Sequence, residues 1–192
     1  MTGFAWASPT RRAMRWRPVL ATTLGIGTAV LAMWAAGAPP AAEPPEMIAV
    51  TVLIAAAALA LDDPAHALVA AAPVGFARRL AHRLAWLGPV TLGCLLAIGW
   101  VAARSDVAPV SSRMLAHAAA LGSLAVVTHV LVTRRRPDVA ASAAAVAPAV
   151  WVTLGVSTSR DAWGGTLAHL WLDRPWAVVG CAAAVVVTAV RR

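Results

Sequence analysis

Long apolar runs alternate with short basic, acidic or proline-rich stretches along the whole chain. Pro18 to Ala38, Leu84 to Ala103, Met114 to Thr133 and Val139 to Ser159 contain no Asp, Glu, Lys or Arg. Each is close to the roughly 20 residues a helix needs to cross the hydrocarbon core of a bilayer. Met47 to Leu61, between Glu46 and Asp62, and Pro175 to Val190, before Arg191, are shorter. They span if their flanking charges sit at headgroup depth or the bilayer thins locally. The pattern predicts an all-α polytopic membrane bundle of six transmembrane helices.

The arginines give this bundle a direction, because basic residues accumulate in cytoplasmic loops. With six crossings, both termini and the second and fourth connections share one side. That side carries Arg11, Arg12, Arg15, Arg17, Arg78, Arg79, Arg83, Arg134, Arg135, Arg136, Arg191 and Arg192. The opposite side carries Arg104, Arg113, Arg160 and Arg174. Twelve against four places both termini in the cytoplasm. Residues 1–17 then form a basic cytoplasmic segment, and residues 18–192 form the transmembrane domain. The first apolar run is too long for a signal peptide and lacks a cleavage site, so it is expected to stay as an anchor.

Composition makes a water-soluble alternative untenable. The 192 residues are 60% hydrophobic and 12% charged, with a mean hydropathy of +0.75, where soluble domains hold about 25% charged residues. Lys, Asn, Gln and Tyr are absent, which leaves too little polar surface to coat a globule. The net charge of +8 would point to nucleic acid on a soluble chain. Here the arginines lie between apolar runs and face lipid headgroups instead, so the expected surroundings are a cell membrane and no nucleic acid.

Little enzyme chemistry is on offer. All eight acids, Glu43, Glu46, Asp62, Asp63, Asp106, Asp138, Asp161 and Asp173, fall in connections or at run ends. An ion-coupled carrier usually needs an ionisable group at mid-membrane depth. His117 and His129 share the fourth run, but twelve helical positions set them about 18 Å and about 120° apart, too far for one metal ion. Each reads best as a hydrogen-bonded packing residue, with substrate contact or haem ligation as the sharper alternative. His66, His82 and His169 fall at or near interfaces. Cys94 and Cys181 sit in separate runs and read as polarizable packing residues rather than a disulfide. Ser111, Ser112 and Ser157 to Ser159 have no base-and-acid arrangement near them in sequence. With no lysine, the usual phosphate-binding loop is missing. No catalytic residue, cofactor or metal is therefore expected.

Two cytoplasmic and outer features remain. Residues 160–175 include Trp163 and Trp171, with Trp176 just beyond, and Leu167, Leu170 and Trp171 share a helical face. This predicts a short helix at the outer interface, although a plain aromatic belt accounts for the tryptophans equally well. The small pairs Gly25/Ala29, Ala118/Gly122 and Ala143/Ala147 allow close helix approach, as expected by chance in a chain this rich in alanine.

The cytoplasmic segment 62–83 carries the clearest message. Asp62 or Asp63 can cap a short helix whose first turn tolerates Pro64. That helix presents Ala65, Leu68 and Val69 and ends before Pro73-Val74-Gly75. A second helix follows, with Arg78, Arg79, His82 and Arg83 on one side and Leu80, Leu84 and Leu87 on the other, continuing into the third run. Its plain reading is an amphipathic helix whose arginines face anionic lipid. Its sharper reading is a docking surface.

This segment resembles the stretch between the second and third spans of type-2 ABC exporter permeases, which opens on acidic residues, passes through a Leu-rich LLA-x-PV centre and closes on a basic run. Asp62, Asp63, Leu68, Ala71, Pro73, Val74, Arg78 and Arg79 carry the match. Asp62-Asp63-Pro64 stands where the family often has a glutamate, a variant similar to small actinobacterial permeases. The resemblance implies a coupling helix that touches a separate ABC ATPase subunit. It also implies six spans, a basic helix before the first, short outer helices between the fifth and sixth, and pairing as a homodimer or with a related permease. The implied activity is export of an amphipathic or hydrophobic substrate. Two alternatives stand beside it: a non-transporting scaffold or immunity protein that binds another membrane protein, and an intramembrane enzyme using His117 or His129.

Overall fold

The computed structural model of the chain describes residues 16–35, 44–61, 75–104, 112–157 and 165–191. Over these the fold is all-helical. In chain order the α-helices are α1 (Trp16–Ala35), α2 (Pro44–Leu59), α3 (Phe76–Arg104), α4 (Ser112–Thr133), α5 (Ala140–Ser157), α6 (Gly165–Asp173) and α7 (Pro175–Arg191). A 3-10 turn at Pro137–Val139 leads into α5.

Proline marks the helix starts. Pro44 and Pro45 open α2, and Pro175 opens α7, where the missing N–H would have had no partner in any case. Only Arg174 separates α6 from α7. The residue before a proline is pushed out of helical geometry, so the chain breaks there, with the Arg174 N–H still bonded to the Leu170 carbonyl at 2.8 Å. Pro89 and Pro148 instead sit inside α3 and α5. Neighbouring helices and local adjustment make such positions tolerable in apolar surroundings.

Packing centres on α4, which lies against α2, α5, α7 and the short α6. Helix α2 also packs on α1, α5 and, less extensively, α3. Many residues at these crossings are small: Ala56, Ala58, Ala118, Ala120, Ala125 and Ala144 are all buried, beside the larger Leu53, Leu121 and Val130. Other large aliphatics point outward, with Leu24 at 71% and Ile48 at 60% exposure. Buried alanines at the crossings together with outward-facing leucines match helices that associate by close backbone approach within lipid.

Hydroxyl groups follow the same logic. Thr23, Thr28, Thr51, Thr128, Thr133 and Thr188 each donate to the carbonyl four positions earlier in their own helix. A hydroxyl satisfied in this way makes no demand on a neighbouring helix or on water.

Among the described residues three helices are long and apolar enough to cross a membrane, over Phe76–Trp100, Ser112–Thr133 and Pro137–Gly155. The shorter apolar helices Met47–Leu59 and Pro175–Ala189 coincide with the two short predicted runs, and the first predicted run lies on α1. The third run is one continuous helix with the basic stretch before it, as expected. At 29 residues, α3 extends about 43 Å, longer than the ~30 Å hydrocarbon core. Residues 1–15, which hold most of the predicted basic N-terminal segment, lie outside the described residues.

Candidate functional site

Helix α3 stands at the edge of the bundle, and the space between it and α4 is not filled. The result is an apolar groove of about 420 Å³, floored by α2 and capped by Trp176 of α7. Leu61, Leu84, Leu87 and Leu95 form one part of its lining, and Ala118 and Gly122 another. No charged side chain lines it; Thr91 supplies a hydroxyl. Small residues make the space. Gly88 and Gly122 both line the groove, and a Cβ on Gly88 would meet nothing within 4 Å. A Cβ on Gly122 would touch Ile54 Cδ1 of α2 at 3.7 Å, an ordinary contact. Thus the Ala118/Gly122 pair brings α4 close to α2 and also shapes the groove wall. Chemically the groove offers dispersion and exclusion of water, which suits a hydrocarbon and nothing ionic.

One end of the groove is lined by Leu61, just past the end of α2. Helix α2 finishes with Ala60 N–H bonding to the Ala57 carbonyl at 3.1 Å and Leu61 N–H to that of Ala58 at 3.0 Å. The last carbonyls of a helix lack partners within it and carry partial negative charge. Arg83 of α3 meets this need: its Nη1 donates to the Leu61 carbonyl oxygen at 3.0 Å. The side chain is 7% exposed.

Of the residues that carry the coupling-segment resemblance, Arg78 and Arg79 are described, in the first turn of α3. Arg78 is exposed and Arg79 half-buried, and both backbone N–H groups bond to the Gly75 carbonyl. Asp62, Asp63, Leu68, Ala71, Pro73 and Val74 lie outside the described residues. The predicted basic face needs one correction. Arg83 does not share the outward side of Arg78 but turns inward to α2, where its guanidinium reaches the terminal Leu61 carbonyl. The apolar side is as expected, with Leu80 and Leu87 buried.

At the other end of the bundle α6 docks through Trp171, which is 1% exposed. Its Nε1–H donates to the Trp151 carbonyl of α5 at 3.2 Å. The ring meets the His117 imidazole edge to face, with centroids 5.5 Å apart and planes at 71°. His117 Nε2 lies 3.2 Å from the Leu172 carbonyl oxygen. A carbonyl only accepts, so this nitrogen carries the hydrogen. The short helix was expected; its Trp171 is a plug that ties α4, α5 and α6 together. His117 is thereby a hydrogen-bonded packing residue. His129 is also buried, and its carbonyl accepts from Thr133 Oγ1 at 2.6 Å. Cys94 and Cys181 are both free thiols, the first half-buried and the second exposed.

Sequence reasoning did not find the groove, the inward turn of Arg83 or the acceptor role of the Trp151 carbonyl. Its nearest signals were Gly88 and the Ala118/Gly122 pair. Comparison with protein-family models, with characterised proteins and with solved structures gives no match for this chain.

Proposed function

We propose that the chain is the membrane-spanning half of an ABC-type exporter in the cell membrane, with six crossings and both termini in the cytoplasm. It moves an amphipathic or hydrophobic substrate using energy from a separate ATPase subunit. Two copies, or one copy and a related permease, enclose the path. The chain without lysine has no phosphate-binding loop of the usual kind, so the work reaches it mechanically.

The observation that carries this reading is the Arg83–Leu61 hydrogen bond. It ties the end of α2 to α3 beside the coupling-like segment, and Leu61 and Leu84 both line the apolar groove. A push on the first turns of α3 is therefore delivered to the floor and a wall of the groove together. The lining then argues for substrate class, since a site without charged groups favours hydrocarbon over ions.

Reconstitution with the ATPase tests it. The pair should show substrate-stimulated ATP hydrolysis that depends on this chain. Arg78→Glu with Arg79→Glu should release or uncouple the ATPase while the helices stay folded, since neither side chain is buried. ATPase co-purification that survives both that change and deletion of residues 62–73 would defeat the assignment.

A further inference from the structure

The turn between α4 and α5 is built differently from the other basic stretch of this face. Arg134, Arg135 and Arg136 follow one another directly after α4, and all three side chains are exposed. The Arg135 and Arg136 N–H groups both bond to the Val132 carbonyl, at 2.9 and 2.7 Å. This tight turn curls the three arginines around the helix end. They frame a cavity of about 550 Å³ whose remaining lining is Leu131 and Val132. Leu131 is 46% exposed and, across the turn, Val139 is 42% exposed.

Charge at this place has two ordinary uses. It orients a membrane protein, and it complements the negative end of a helix dipole. Neither needs a cavity with an apolar floor and a guanidinium rim. From that pairing we infer that the α4–α5 turn is a binding site for an anionic phospholipid of the adjoining leaflet. The phosphodiester sits among the Arg134, Arg135 and Arg136 guanidiniums, whose planar forks match phosphate oxygens two at a time. The acyl chain runs down past Leu131 and Val132.

Charge complementarity selects this occupant. Asp138 is the acid of the turn and is exposed, so Arg134 to Asp138 carries a net charge of +2. A zwitterionic lipid would set its own cation against that surplus. A free phosphate ion would be drawn by the arginines but would leave the Leu131–Val132 wall facing water. Only a lipid with net negative charge uses both parts. The inference rests on the membrane placement of this hairpin and not on the exporter assignment.

The test reconstitutes the full chain in vesicles of equal phosphatidylglycerol and phosphatidylcholine, extracts it gently and weighs the intact complexes by native mass spectrometry. The wild type should retain phosphatidylglycerol over phosphatidylcholine by about tenfold, given the strength of juxtamembrane arginine–lipid attraction. Arg134→Gln, Arg135→Gln and Arg136→Gln combined should bring retention to parity, while Arg78→Gln with Arg79→Gln leaves the preference in place. Lysine at the three positions keeps the charge that orients the hairpin but loses the fork, so its preference should be intermediate. An equal hold on both lipids by the wild type would overturn the site, as would a preference undiminished by the glutamines. Displacement of the lipid by inorganic phosphate, or its replacement by an acidic peptide, would overturn the lipid assignment. A chain that fails to enter vesicles at all would overturn the membrane placement along with it.

Discussion

Arg83 of α3 donates to the carbonyl oxygen of Leu61 at 3.0 Å across 22 positions of sequence, and this bond closes the end of α2. Replacing Arg83 with Leu leaves that carbonyl without its cationic donor in a buried place. Hydrogen bonds to charged groups contribute about 2 kcal/mol, so thermal unfolding in detergent should show a loss of that order. Arg83→Lys, with a shorter reach and a single point charge, should recover part of it. Equal stability of all three proteins would mean that the joint between α2 and α3 does not depend on this contact.

Trp171 should separate two contributions. Trp171→Phe keeps an aromatic ring in the buried position but removes the N–H that reaches the Trp151 carbonyl, at a cost of about 1 kcal/mol. Trp171→Ala also empties the site and should cost about 4 kcal/mol. Unfolding measurements on the pair therefore distinguish a plug from an interfacial anchor. An anchor in the headgroup layer would lose little in either variant.

How far these features were legible in the sequence depends on whether a neighbour in space is also a neighbour along the chain. The apolar runs between Met47 and Leu61 and between Met114 and Thr133 announce helices, because crossing lipid is a property of consecutive residues. The short helix of Leu167, Leu170 and Trp171 was legible for the same reason. Burial of Trp171 was not: a tryptophan bound for the interface and one bound for the core look alike, and a carbonyl 20 positions earlier decides. The inward turn of Arg83 was hidden likewise, since Arg78, Arg79, His82 and Arg83 read as one basic face until the end of α2 stands beside it. The groove is a gap between helices that are not packed together. No local pattern encodes a gap, although Gly88 and Gly122 mark its walls.

His117 and Trp171 should be energetically coupled. Their rings stand edge to face at 5.5 Å, and such aromatic pairs contribute about 1 kcal/mol beyond burial. A double-mutant cycle with His117→Leu and Trp171→Leu should return a coupling of that size. Additive losses would show that the ring contact contributes nothing beyond the separate ties of His117 to the Leu172 carbonyl and of Trp171 to that of Trp151. The single variant also bears on the enzyme alternative: loss of function in His117→Leu should scale with loss of folded protein, whereas for a catalytic histidine function would vanish in protein that is still folded.

Groove occupancy can be tested at two glycines of the same helix. Neither Gly88 nor Gly93 has an atom within 4 Å of where its Cβ would stand, and both are exposed, so a side chain at either starts into open space. Each replacement also removes a helix-interior glycine, a gain of up to about 1 kcal/mol. Only Gly88 lines the groove. Gly88→Leu should therefore raise or preserve the melting temperature while cutting substrate-stimulated ATP hydrolysis severalfold, because its side chain takes the space the proposed hydrocarbon substrate needs. Gly93→Leu should preserve both. Equal loss at the two positions would point to general disturbance of α3, and undiminished stimulation in Gly88→Leu would place the substrate path somewhere other than between α3 and α4.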